Sequence, residues 1–157
     1  MLTAAVFSDT HGNTARMLKA VRQLQPDYIF HLGDFMRDTW CLREQFPNIP
    51  LSCVCGNCDP SDAMPGTAAV ELGGVRIFLT HGHIYNVKWS LDSLVYAAQE
   101  AEAKVCLFGH THDALNIELG RVQLLNPGTA GLGPNLSFGV LTVFDNGGVA
   151  CEVRNCP

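Results

Sequence analysis

A chain of 157 residues with 47% hydrophobic and 16% charged residues has the composition of a folded soluble domain, which excludes a disordered acidic or basic tail. At that length folding buries roughly 68–70% of the surface the unfolded chain exposes, so one domain over residues 1–157 with its own core is expected. The formal charge of −5 disfavours nucleic acid and anionic lipid as partners unless a local patch or a bound cation reverses the sign.

The first apolar run, Leu2–Phe7, is too short for a signal-peptide core or a membrane span, and no basic stretch precedes it, so the expected location is cytoplasmic. Seven scattered Cys, an odd count, fit reduced thiols better than a disulfide framework. In chain order, 28–32, 51–55, Val75–Thr80 and 105–108 repeat the short apolar pattern of the first run and read as buried strands. Between them, 14–24 places Met17, Leu18, Val21 and Leu24 on one side behind an Asn13 cap, and a weaker helix covers 38–46. A further helix over 91–103 has Leu91, Leu94, Val95 and Ala98 on one face, Ser90 as cap and Trp89 stapled onto Leu94. From residue 114 the pattern becomes β: strands at 114–119, 122–125, 138–144 and 148–154 joined by Gly-containing turns read as a meander.

Chemistry-bearing residues stand just beyond the apolar runs. Leu2–Phe7 leads to Asp9 and His11, 28–32 to Gly33-Asp34, 51–55 to Gly56-Asn57-Cys58-Asp59, Val75–Thr80 to His81, and 105–108 to Gly109-His110-Thr111-His112. Sites in open α/β sheets form at the carboxyl ends of the strands, so five such ends point to one polar cluster. In Asp9-Thr10-His11 and His110-Thr111-His112 the middle residue turns away in an extended segment, letting each flanking pair reach one point.

These motifs, DxH, GD, GNCD, THGH and GHTH in order over residues 9–129, resemble the calcineurin-like metallophosphoesterase superfamily. Cys58 in place of the usual His, the small size and Asn126-Pro127-Gly128-Thr129 make the chain similar to its small single-domain phosphodiesterase branch. The resemblance implies a four-layer α/β/β/α sandwich holding two divalent ions. One ion is expected on Asp9, His11, Asp34 and His112 and the other on Asn57, His81 and His110, with Asp34 bridging. Mixed carboxylate and imidazole ligands suit Mn, Fe, Co, Ni or Zn and do not choose among them; Mn is the first expectation. Paired ions about 3.5–4 Å apart lower the pKa of a shared water to about 7, so hydroxide attacks phosphorus directly and a small phosphodiester is cleaved. In this scheme Asp34, Asn57, His83 and Cys58 act at the reacting centre, Cys58 or His83 beside the leaving oxygen, and Arg37 contacts the substrate phosphate. Asp59 and His31 support the ligands.

Blander readings stand beside these. His31 lies inside a strand and reads first as a hydrogen-bonded core residue, His83 reads equally as rim, and Arg37 with Asp38 reads as a solvated turn. Cys53, Cys55 and Cys58 would need a fourth ligand to make a structural zinc site, and the nearest spare thiol is Cys41. Two rival functions remain: a protein-binding scaffold of the same fold, as in a retromer coat subunit, and a phosphomonoesterase or pyrophosphatase on the same ions. A homo-oligomer is left open as a partner, and a nucleic-acid polymer is not expected because no aromatic and basic stripe is present.

Overall fold

The computed structural model describes residues 1–62 and 64–157. Among the described residues, ten strands and three helices are arranged as β1 (Leu2–Phe7), α1 (Ala15–Leu24), β2 (Tyr28–His31), α2 (Thr39–Gln45), β3 (Leu51–Cys53), β4 (Thr67–Leu72), β5 (Val75–Thr80), α3 (Asp92–Glu100), β6 (Val105–Leu107), β7 (Leu115–Leu119), β8 (Val122–Asn126), β9 (Ser137–Val143) and β10 (Val149–Asn155). Single 3-10 turns at Met36–Asp38 and His83–Tyr85 follow two of the strand-end motifs.

The strands form two five-stranded sheets, β10-β9-β1-β2-β3 and β4-β5-β6-β8-β7. Side chains alternate along a strand, and both faces of the central strands are buried, which is why these strands read as continuous apolar runs. On β1, Ala4 and Val6 enter the core between the sheets, while Ala5 and Phe7 face Met17, Val21 and Leu42 of α1 and α2. On β5 and β6, Ile77, Leu79, Val105 and Leu107 enter that same inter-sheet core, whereas Phe78 and Cys106 face Leu94 and Ala98 of α3. Helices, sheet, sheet and helix therefore stack as the four-layer α/β/β/α sandwich.

Several local expectations are corrected. Asn13 does not cap α1: Thr14 occupies the cap without a side-chain bond, and Asn13 Nδ2 donates to Gly131 O across the molecule (3.1 Å). Leu91, not Ser90, occupies the cap of α3, although Ser90 Oγ accepts from Asp92 N (3.2 Å); α3 stops at Glu100, and Trp89 is 91% exposed instead of stapled to Leu94. A turn closed by Asn86 O, which accepts from the amides of Trp89 and Ser90, carries the ring outward.

The late strands are not a meander. β7 and β8 extend the second sheet, with β8 parallel to β6, while β9 and β10 extend the first, with β9 antiparallel to β1. One further strand, β4, escaped the sequence reading because its apolar residues are small and only Leu72 is buried. Its signal was the Gly73-Gly74 turn, where both residues have positive φ (57° and 80°) and close a two-residue hairpin onto β5.

Candidate metal centre

The carboxyl ends of β1, β2 and β3 in one sheet and β5 and β6 in the other open at a common edge, where the motifs meet. Asp9 and Asp34 are almost wholly buried, and each has one oxygen occupied. Asp9 Oδ2 accepts from Ser8 Oγ (2.5 Å) and from His110 N (3.2 Å), and Asp34 Oδ1 accepts from Cys58 N (2.8 Å). The other two oxygens face three imidazoles. Asp9 Oδ1 lies 3.8 Å from His11 Nε2, 3.8 Å from His81 Nε2 and 3.1 Å from His112 Nε2. Asp34 Oδ2 lies 3.8 Å from His11 Nε2 and 3.4 Å from His81 Nε2.

These atoms converge without completing one another's hydrogen bonds. Asp9 Oδ1, His11 Nε2 and His81 Nε2 are buried with no hydrogen-bond partner among the described residues. Such atoms are costly unless a further group joins them. His81 shows how its ring is aimed: Nδ1–H donates to Leu32 O (2.7 Å), leaving the Nε2 lone pair toward the carboxylates, the orientation a metal-binding imidazole needs. Burial pushes His81 down in pKa, but Asp34 and Asp9 outweigh it and hold the ring above its usual value. Burial likewise raises the Asp34 carboxyl, yet His81 and the Cys58 amide overcome it and keep Asp34 well below the usual carboxylate range. Three sets of side chains offer ligand atoms within 4.8 Å of one another: Asp9, His11 and His112; His11, Asp34 and Cys58; and Asp9, Asp34 and His81. Carboxylate and imidazole donors in this number fit a divalent transition ion, and the orphaned atoms are the ones such ions would satisfy.

The backbone is bent sharply to make this convergence. Asp9, His11, Asp34, His110 and His112 all have positive φ, between 47° and 70°. A left-handed backbone at a residue with a side chain costs of the order of 1–3 kcal/mol, and five such residues at one edge mark a functional cluster. Close approach matters as well: a Cβ on Gly33 would stand 2.5 Å from Gly56 N, and one on Gly56 would collide with the Asp34 carboxylate.

The remaining sequence-derived residues fall into distinct places. Asp59 is a loop clamp, accepting from Gly56 N and Asp34 N with Oδ2 (2.9 Å each) and from Met36 N with Oδ1 (2.9 Å). His31 is fully buried: Gly33 N donates to its Nδ1 (3.2 Å), so Nε2 carries the proton toward Thr10 Oγ1 (3.0 Å). His110 sits beside His81, ring centroids 5.1 Å apart, and burial together with His81 lowers its pKa to about 4. His83 lines the same wall, 5.5 Å from His81 between centroids, with a buried Nδ1 that has no hydrogen-bond partner among the described residues. Burial, then His81, lowers its pKa as well. Cys58 is exposed at the rim, its thiol pushed up by burial and by Asp34.

Asn57 makes no hydrogen bond to either carboxylate among the described residues. It is exposed, and its Nδ2 contacts Cys58 Sγ (3.7 Å). Arg37 is also exposed, stacked with Cζ 4.9 Å from the centroid of Phe35. The reading of Asp38 as a solvated turn is overturned: it is 8% exposed and accepts from Gly12 N (2.8 Å), bracing the loop after His11. Sequence reasoning missed Ser8 and the work of Asn126 and Thr129. Asn126 Nδ2 donates to Gly109 O (3.1 Å) and Thr111 Oγ1 (2.9 Å), and Thr129 Oγ1 donates to Asp9 O (2.8 Å). The Asn126-Pro127-Gly128-Thr129 run was visible; that it buckles the first and last motifs together was not.

Residues 2–146 match the model of the calcineurin-like phosphoesterase superfamily domain. The chain belongs to that superfamily. It is 29% identical over 149 residues to the probable metallophosphoesterase YsnB of Bacillus subtilis, covering 90% of this chain and 85% of that one. It is 25% identical over 142 residues to the phosphodiesterase MJ0936 of Methanocaldococcus jannaschii, covering 78% and 81%. Among solved structures, Vps29 of Entamoeba histolytica complexed with zinc superimposes with a TM-score of 0.77 at 20% identity, over 99% of this chain and 100% of that one, a likeness of fold. The sandwich with its polar edge is thus the superfamily's architecture, and metallophosphoesterase relatives support a metal-dependent phosphoesterase.

Proposed function

We propose that this protein is a divalent-metal-dependent phosphodiesterase acting on small phosphodiesters. The observation that carries the reading is the set of orphaned inward-facing atoms, Asp9 Oδ1, His11 Nε2 and His81 Nε2, beside Asp34 Oδ2 and His112 Nε2. Asp9, His11, Asp34 and His112 would hold one ion, and His81, His110 and Asn57 the second, with Asp34 shared; Mn is the leading candidate. When bound, the ions supply Lewis-acid polarisation of the phosphoryl oxygens and a nucleophilic water near neutral pH.

The residues of the chain do the positioning. Ser8, the Cys58 amide and the Leu32 carbonyl fix one atom of Asp9, Asp34 and His81 respectively, so that the opposite atom faces the substrate region. Asp59 and His31 hold the second motif against the third and the first. His83 in the wall and Cys58 at the rim would give or take a proton beside a departing oxygen, and the exposed Arg37 would contact an anion. An exposed rim of Asn57, Cys58 and Arg37 suits a small diester. The fold likeness to Vps29 favours a second reading, a protein-binding scaffold that keeps the same ligands.

Metal analysis of protein purified without chelator, paired with hydrolysis of bis(4-nitrophenyl) phosphate and 4-nitrophenyl phosphate, separates the readings. Two ions per chain, faster turnover of the diester, loss with EDTA and recovery with Mn are expected. Undiminished hydrolysis at zero metal sinks the proposal, and two bound ions without hydrolysis of either ester leaves the scaffold.

A further inference from the structure

Beside the polar cluster lies a cleft of about 350 Å³ lined by Phe35, Met36, Arg37, Trp40, Cys58, Asp59 and Pro60. Its volume is that of a small-molecule site, within the usual range of roughly 300–1,000 Å³. Two of its lining residues belong to the cluster's edge. Cys58 offers its sulfur within 4.8 Å of ligand atoms of His11 and Asp34, and the Phe35 ring lies 5.4 Å from that of His11 between centroids. A group joined through one ester oxygen to a phosphorus at the cluster therefore reaches the cleft.

The walls have aromatic-binding chemistry. Trp40 is 70% exposed, although both its neighbours on α2 are fixed, Thr39 by burial and Cys41 by its Sγ–H donating to Asp38 O (2.8 Å). Its indole is thus a large ring held in water on an ordered helix. Phe35 is covered on one face by Arg37, and the Asp59 carboxylate is spent on three backbone amides, so the lining is largely apolar. Ring-on-ring contacts of this kind add to what the buried area alone contributes.

We propose that this cleft receives an aromatic ester group of the phosphodiester, stacked on Trp40 and Phe35; the inference rests on the phosphodiesterase reading for the phosphorus that carries the ring. Trp40 sets substrate preference and takes no part in the bond cleavage.

The test uses Mn-loaded protein carrying Trp89→Phe, which leaves Trp40 as the only tryptophan and alters a side chain that is 91% exposed. Phenyl methylphosphonate should change Trp40 emission saturably and bind about tenfold more tightly than methyl methylphosphonate, which has the same anionic centre without the ring. By calorimetry Trp40→Ala should remove that preference, and Trp40→Phe should restore part of it. A thymidine ester in place of phenyl tells a nucleoside from a simple aryl group, the tighter ligand naming the source. Equal phenyl-to-methyl preference in the parent protein and Trp40→Ala overturns the cleft, even with hydrolysis intact. A ring preference that depends on Trp40 in a protein that hydrolyses no diester upholds the cleft and sinks the phosphodiesterase reading instead.

Discussion

Asp34 and Asp59 are both acidic and close together, yet their carboxylates do different things. Asp34 keeps Oδ2 free toward His11 and His81, whereas both Asp59 oxygens are occupied by backbone amides. Asp34→Asn should therefore lower metal affinity and turnover more than Asp59→Asn, which should cost about 10–100-fold through loosened loop geometry. Titration of the metal into each variant, with rates at saturation, checks the order; equal losses would show that Asp34 is not shared between ions. His31 carries a pH dependence. Burial lowers its pKa from 6.5 to about 4, with Asp38, Asp59 and Asp9 opposing and His81 reinforcing the shift. The folded protein thus binds this proton more weakly than the unfolded chain. The stability due to neutral His31 is complete above about pH 6.5 and is lost as pH falls toward 4, by up to about 3 kcal/mol. His31→Gln can accept from Gly33 N and donate to Thr10, so it should flatten that part of the profile. Denaturant midpoints with EDTA at about pH 7 and pH 4.5 for both proteins measure the difference.

At the scale of elements, short strands deliver the site by ending abruptly. β2 stops at His31 and β3 at Cys53, and the next residues cross over one another at Gly33 and Gly56. A Cβ on Gly56 would stand 2.7 Å from Asp34 N and overlap the Asp34 carboxylate, and backbone atoms cannot rotate away as a flexible side chain can. Gly56→Ala should destabilise the fold by about 1–3 kcal/mol and weaken metal binding, read by thermal unfolding and metal titration. Gly147→Ala, at a positive φ of 82° but with open space around it, should lose stability while leaving metal affinity unchanged.

For the whole molecule, the proposed ligands come from both sheets, so a bound ion would clamp the sandwich together. Asp9, His11 and Asp34 follow β1 and β2, while His81, His110 and His112 follow β5 and β6. An ion that binds only the folded state stabilises it by about 2.7 kcal/mol at one hundred times its dissociation constant. For a chain of this size that should raise the melting temperature by about 5–10 °C, compared with the same protein in EDTA. An unchanged melting temperature at saturating Mn would argue that the cluster does not assemble a metal site between the sheets.

What the amino-acid sequence determined by itself was the set of elements and the positions of the chemistry along them. Apolar runs of strand length ending in Asp, His and Gly disclosed β1, β2, β3, β5 and β6 and their tails, because strand burial and turn chemistry are local properties of a few residues. Its failures are where local signal is weak or long-range partners decide. β4, made of small half-buried residues, is a strand because β5 lies beside it. The pairing of β8 with β6 and of β9 with β1 is a choice among partners that no periodicity records. Asp38 looked solvated because its partner, Gly12 N, is brought to it only when the loops pack, and Asn126 and Thr129 tie distant motifs for the same reason. The orphaned oxygen and nitrogens, the left-handed backbone at five site residues and the Trp40 cleft beside them arise only from tertiary structure, since each depends on chain segments far apart in sequence held within a few ångströms.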